Sequence, residues 1–193
     1  MHRSDSYLGE GRLEVICGPM FSGKTEELLR RVRRSLIAKL PTLLVKPATD
    51  TRYAVGDVVS HDKTAMPSVV VEKSSDILDV LEVDGRQALV VAIDEAQFFS
   101  DDLAGVCNEL ANRGLRVIVA GLDLDFTGKP FGSMPDLLAL AEEVTKLHAV
   151  CEETGRQAHF SHKIAGSDET VELGEKDKYI PLARHAFVAA RKK

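Results

Sequence analysis

Cysteine is scarce in this chain of 193 residues, and the three present, Cys17, Cys107 and Cys151, are an odd and widely spaced set. That excludes a disulfide framework and a metal knuckle and points to a reducing compartment, so the expected location is the cytoplasm. Positive charge is also in short supply. Lys and Arg number 25 against 30 Asp and Glu, giving a net charge of −5 and a pI near 5.7. Such a balance argues against a protein that coats nucleic acid. No apolar run approaches the roughly 20 residues of a membrane span. Residues 1–11 carry Asp5 and Glu10 and no apolar stretch, so no signal peptide is expected. Internal repeats and low-complexity tracts are missing too. What remains is 44% hydrophobic and 28% charged, enough for one full domain with a small appendage.

The most specific local signal is Gly18-Pro19-Met20-Phe21-Ser22-Gly23-Lys24-Thr25, which fits G-x-x-x-x-G-K-[ST] at every fixed position. An alternating apolar run, Leu13 to Cys17, precedes it and a helical pattern follows. The physics requires that order. A strand delivers the loop to the edge of a sheet, and glycines let backbone N–H groups turn inward around an anion. The helix then starts with its unsatisfied amides aimed at the phosphates. Lys24 is expected on the β- and γ-phosphates and the Thr25 hydroxyl on Mg²⁺.

Leu28, Leu29, Val32, Leu36 and Leu40 place an apolar stripe on a helix from about Lys24 to Lys39. Arg30, Arg31, Arg33 and Arg34 between them read as a solvated surface or a subunit contact. Strands are expected at Thr42–Lys46 and Ser68–Glu72, then a helix capped by Ser74 and Ser75 and covering Ile77, Leu78, Val80 and Leu81, then a turn at Asp84-Gly85. Leu89 to Ile93, ending in Asp94-Glu95, reads as a central parallel strand whose terminal carboxylate holds Mg²⁺. A helix from Asp101 and Asp102, stopped by Gly114, leads to a strand at Arg116–Gly121, a long loop from Leu122 to Ser133 and a short helix from Pro135. Strands alternating with helices over residues 12–147 mean a parallel α/β sheet with ligands at the carboxyl ends of its strands. From residue 148 the texture turns charged and irregular, with short β-like pieces at Gln157–His162 and Thr170–Leu173. Two domains are expected, 12–147 and 148–187.

Taken alone, Asp94-Glu95 fits a kinase or an ATPase whose glutamate orients water. Switch-type GTPases are disfavoured because no N-K-x-D motif occurs. The string from Gly18 to Thr25, then Asp94-Glu95-Ala96-Gln97-Phe98, Gly121-Leu122-Asp123, Phe126 and Lys129-Pro130-Phe131, closely resembles the type II thymidine kinases. Leu147-His148-Ala149-Val150-Cys151 and Asp177-Lys178-Tyr179 continue the match, so the likeness spans about residues 12–187.

That resemblance implies a P-loop, RecA-like sheet with helices on both faces and a small lasso domain. It implies transfer of the γ-phosphoryl group of ATP to the 5′-hydroxyl of thymidine, or of deoxyuridine, with Mg²⁺ held by Thr25 and Asp94. Glu95 matches the catalytic base. The ATP-binding positions are Gly18 through Thr25, Asp94 through Gln97, and Arg52. Met20, Phe98, Leu122, Phe126 and Phe131 are large apolar side chains in loops or at strand ends, suited to a flat pyrimidine, and the family lines its nucleoside with matching positions. Its lasso matches Ser161 to Tyr179, both substrate contacts. Gly174-Glu175 stands where the family often has Gly-Gly, and Glu at positive φ is strained. Many relatives hold a structural zinc with four cysteines. Here Cys151 fills the first position, while Thr154, Ala183 and Ala186 fill the others. One thiolate makes no closed tetrahedral site, so no zinc is expected. Packing through Phe160, Ile164, Leu182 and Phe187 must serve instead. The resemblance further implies a homotetramer, dTTP as feedback inhibitor, and no nucleic-acid or membrane partner.

Overall fold

The computed structural model describes residues 10–49, 57–59, 65–99, 102–165 and 178–192. A six-stranded sheet is built from β1 (Arg12–Cys17), β2 (Thr42–Pro47), β3 (Val69–Val71), β4 (Val90–Ile93), β5 (Arg116–Gly121) and β6 (Glu143–Lys146). Their order is β6-β1-β5-β4-β2-β3, and every neighbouring pair is parallel.

Both faces are covered, which is why the central strands are continuous apolar runs. Side chains alternate between the faces. Leu13, Val15, Val91, Ile93, Val117 and Val119 pack toward α2 (Leu103–Asn112) and α3 (Met134–Leu140). Ile16, Val90, Ala92, Ile118 and Ala120 join Leu28, Leu29 and Val32 of α1 (Lys24–Ile37) on the other face. Val58 and Met66, from a short hairpin of Asp57–Val59 with Ala65–Pro67, extend that second layer. Because all six strands run the same way, the segments after β1, β4 and β5 leave one edge of the sheet together.

Two local expectations need correction. The segment after Ser74 is a 3-10 turn, Ser74–Asp79, rather than an α-helix reaching Leu81. Its closing bond runs from the Val80 amide to the Ile77 carbonyl. The hairpin of Glu82–Val83 with Arg86–Gln87 follows at once, turning on Asp84 and Gly85 at φ 51° and 70°. No room is left for a longer helix. Second, the four arginines of α1 are not all solvated. Arg31 is 7% exposed and meets Glu14 of β1, which is fully buried. Position 31 lies three residues from Leu28, on the face turned to the sheet.

Beyond β6 the chain forms two antiparallel pairs, β7 (Ala149–Val150) with β8 (Gln157–Ala158), and β9 (Phe160–Lys163) with β10 (Tyr179–Leu182). A last helix, α4 (Arg184–Ala190), packs on them. Phe160 and Phe187 stack with ring centroids 4.4 Å apart, and Leu182 is buried beside them. Ile164 does not join this core. It follows the end of β9 and is half exposed. The expected β-like piece at Thr170–Leu173 lies outside the described residues.

Candidate active site

The loop after β1 depends on glycine at two points. Gly18 sits at φ 146°, and a Cβ there would lie 2.4 Å from the Leu147 carbonyl oxygen. Gly23 opens α1 at φ 85°, in the left-handed region where side chains are strained. The Ser22 hydroxyl donates to the Pro19 carbonyl at 2.8 Å, and the Lys24 ammonium is turned back onto the same oxygen, also at 2.8 Å. The next residue, Thr25, donates its hydroxyl to Asp94 Oδ2 at 3.1 Å. Asp94 follows β4 and is 6% exposed; its Oδ1 accepts from the Glu95 amide at 3.0 Å. β5 lies between β1 and β4, yet this contact joins the first turn of α1 to the turn after β4.

A hydroxyl touching a carboxylate is a pair of hard oxygen donors, the type magnesium takes. Among the described residues no group of three His, Cys, Asp or Glu side chains is disposed to hold a metal. A cation at Thr25 and Asp94 would therefore complete its shell with water and substrate phosphates, as magnesium does in phosphoryl-transfer sites.

Glu95 adopts a left-handed conformation, φ 52°, and is half-buried. Its Oε2 accepts from Gln97 Nε2 at 2.5 Å, and Gln97 Oε1 in turn accepts from the Leu122 amide at 2.9 Å. Gln97 is 3% exposed. It ties the turn after β4 to the loop after β5. Gln97 is expected among the ATP contacts, and its bridge to Leu122 is visible only in the fold. Gly121 makes room for the bridge: a Cβ there would meet Met134 Sδ at 2.6 Å and Gln97 Oε1 at 2.9 Å.

The expected acceptor residues fall into two groups. Phe98 and Phe131 meet edge to face with centroids 6.0 Å apart. Phe126 is half-buried on a turn pinned by Asp125, whose Oδ1 accepts from the Thr127 amide and hydroxyl and the Lys129 amide at 2.8, 2.7 and 3.0 Å. Lys163 Nζ lies 5.0 Å from the Phe126 ring centre and 5.8 Å from that of Tyr179. Lys163 was not foreseen; only the fold brings β9 to the loop of Phe126. Ser161, also on β9, accepts from the Met20 amide at 2.9 Å. Ser161 and Tyr179 are buried, whereas Leu122 is half-buried and is fixed through its amide. Phe21, at φ 64°, packs against the core of the C-terminal segment, and Ala96 is buried under the sheet. Arg52, and most of the stretch from Ser161 to Tyr179, lie outside the described residues.

The four positions matching the family's zinc ligands do converge. Cys151, Ala183 and Ala186 share one buried cluster. Burial pushes the Cys151 thiol up, but hydrogen bonds from Thr154 and from the backbone at Ala183, Thr154 and Glu153 bring it below its ordinary value.

The thymidine kinase family profile matches residues 11–187. A thymidine kinase of Bacteroides fragilis (strain YCH46) is 53% identical over 181 residues, covering 93% of this chain and 88% of that protein. One from Porphyromonas gingivalis (strain ATCC 33277) is 52% identical over 177 residues, 92% and 85% of the two chains. A third, from Rhodothermus sp. (strain ITI 518), is 49% identical over 181 residues, 94% and 83%. With the phosphate loop, the Asp94-Glu95 turn and the aromatic loops at one edge of the sheet, the chain belongs to the thymidine kinase family.

Proposed function

We propose that the chain transfers the γ-phosphoryl group of ATP to the 5′-hydroxyl of thymidine, giving dTMP, and accepts deoxyuridine as a second substrate. The observation that carries this reading is the Gln97 bridge. Gln97 holds the Glu95 carboxylate and the Leu122 amide together, one residue on from Asp94, which accepts from Thr25, and this supports a carboxylate set between the two substrates.

The loop from Gly18 to Thr25 cradles the triphosphate with backbone amides, Pro19 having no N–H to give and the Met20 amide donating to Ser161; Lys24 pairs with the outer phosphates and Arg52 adds a second cation. Magnesium, when held by Thr25 and Asp94, supplies neutralisation of charge on the phosphate oxygens. A loose phosphoryl transition state asks mainly for alignment. Glu95 therefore orients the acceptor hydroxyl, accepts its hydrogen bond and takes its proton late. Met20, Phe98, Leu122, Phe126 and Phe131 hold the base and sugar, with Ser161 and Tyr179 closing from the C-terminal side. On this reading residues 12–147 form the nucleotide-binding domain and 148–187 a lasso domain that folds over the nucleoside without structural zinc.

By family likeness we extend the proposal to dTTP as feedback inhibitor, a homotetramer and a cytoplasmic location. Ile37 and Leu36 at the end of α1 are 81% and 49% exposed, apolar surface that an assembly would cover. All three cysteines are free, in keeping with a reducing compartment. No helix among the described residues is long and apolar enough to cross a membrane.

A coupled assay of ADP release tests the reading. Release should depend on thymidine, stop on chelation of divalent metal and return with added magnesium. Rapid release with ATP alone, unchanged by thymidine, would favour an ATPase module and reject the kinase assignment.

A further inference from the structure

A cavity of about 490 Å³ opens between the edge strand β6 and the C-terminal segment, and none of its lining residues belongs to the phosphate loop. Its wall includes Lys146 of β6, Arg156, His159, Phe160 and Arg184, and contains no carboxylate. Three permanent cations around one hollow are unexpected in a chain of net charge −5. Like charges repel, so such a group is costly unless something neutralises it.

Two of the three cations are already held in place. Lys146 Nζ pairs with Asp123 Oδ2 at 2.7 Å. The Arg184 guanidinium lies over the Phe160 ring, 5.0 Å from its centre. Among the described residues no carboxylate pairs with Arg156 or Arg184. Even after Asp123 offsets one charge, two full positive charges face the hollow. His159 sits among them with its ring 4.5 Å from that of His148. It titrates below its ordinary value, first through burial and then through His148, Lys146 and Arg184, which together outweigh the opposing pull of Asp123.

We propose that this cavity is a second anion site, separate from the triphosphate loop, which takes a phosphate group, either free or carried on a nucleotide. Arginine forks match phosphate oxygens with two parallel bonds, and an ammonium adds a point charge. Groups held in position beforehand lose little freedom on binding. Lys146 belongs to the sheet, whereas Arg156 precedes β8 and Arg184 opens α4, both in the C-terminal segment. A bound phosphate therefore joins the sheet to the C-terminal segment.

The test uses the full chain carrying Lys24→Ala, which weakens phosphate binding at the loop. Histidine ring resonances are followed by proton–carbon NMR and assigned with His148→Gln and His159→Gln. Titration with inorganic phosphate, against chloride at matched ionic strength, should move the His148 and His159 signals saturably. Arg156→Gln should weaken that response by about tenfold, the value of one charged hydrogen bond. Arg156 is exposed and holds no ion pair among the described residues, so this variant keeps the fold; Arg184→Gln should act alike, with an unchanged circular dichroism spectrum as its control. Adenosine monophosphate binding about tenfold tighter than phosphate would assign the site to a nucleotide, and equal binding to free phosphate. Equal movement with chloride, no movement with either phosphate, or an unaltered titration in Arg156→Gln would overturn the proposal.

Discussion

At Glu95 the backbone turns left-handed, a conformation that costs a non-glycine residue about 1–3 kcal/mol. The Asp94 carboxylate accepting from the Glu95 amide, and Gln97 holding the Glu95 side chain, sustain it. If Glu95 is the base, Glu95→Gln should lower kcat by about 10²- to 10⁴-fold. ATP affinity measured by calorimetry should stay close to that of the parent. Gln97→Glu gives a second test. It sets a second carboxylate against Glu95, and two acids in one site cannot both ionise freely. One pKa rises, so the acidic limb of the kcat/KM profile should move to higher pH. An unmoved limb would show that Gln97 acts on structure alone. Asp94-Glu95 was readable in the sequence because an apolar strand ends there. The Gln97 bridge was not, since its partner at Leu122 is 25 residues away and meets it only across the folded sheet.

Between elements, the sharpest departure from expectation is the ion cluster joining β1, α1 and β5. Glu14 receives Arg116 in a two-point contact at 2.6 and 2.9 Å and Arg31 at 2.7 Å, with Arg12 at 2.8 Å. Arg31 also reaches Glu27 and Glu143 at 2.8 and 3.0 Å. Removing the acid takes the shared partner from half-buried Arg116 and one of three acidic partners from buried Arg31, so Glu14→Ala should cost about 3 kcal/mol in urea unfolding. Burial alone would raise the Glu14 pKa; the Arg116 and Arg31 contacts outweigh it and hold the carboxyl below its ordinary 4.5. A lowered folded pKa means the contribution is complete above 4.5 and lost as pH falls through the lower folded value. Stability of the parent should therefore drop on acidification below that point, and Glu14→Gln should blunt the drop. The clue lay in the sequence: Glu14 alternates with Leu13 and Val15 in a strand bound for the interior. Composition arguments averaged Arg31 into a solvated helix face, whereas a single buried carboxylate decides its direction.

For the molecule as a whole, the alternation of strands and helices made the parallel sheet legible, and the phosphate-loop motif pointed to the edge now proposed as active. The C-terminal segment was less legible, because its short strands carry little periodicity and its core is assembled from distant positions. Among the contacts that join it to the body beside the proposed acceptor pocket are Ser161 with the Met20 amide and Lys163 with the Phe126 ring. Ser161→Ala should raise KM for thymidine about two- to tenfold, the value of one neutral hydrogen bond, with KM for ATP little changed. Phe126→Ala should likewise weaken thymidine more than ATP; equal losses would place Phe126 in the core.

The turn carrying Phe126 is also held from the far end of the chain. Arg191 donates to the Thr127 carbonyl at 2.6 Å, and the Phe187 ring lies so near Gly128 that a Cβ there would come within 3.0 Å of it. The last helix thus acts as a buttress for the turn of Phe126, the proposed acceptor wall. A protease nick or a crowded fusion joint that unwinds it should erode substrate choice before it erodes solubility, and the ratio of thymidine to deoxyuridine turnover would register the damage first.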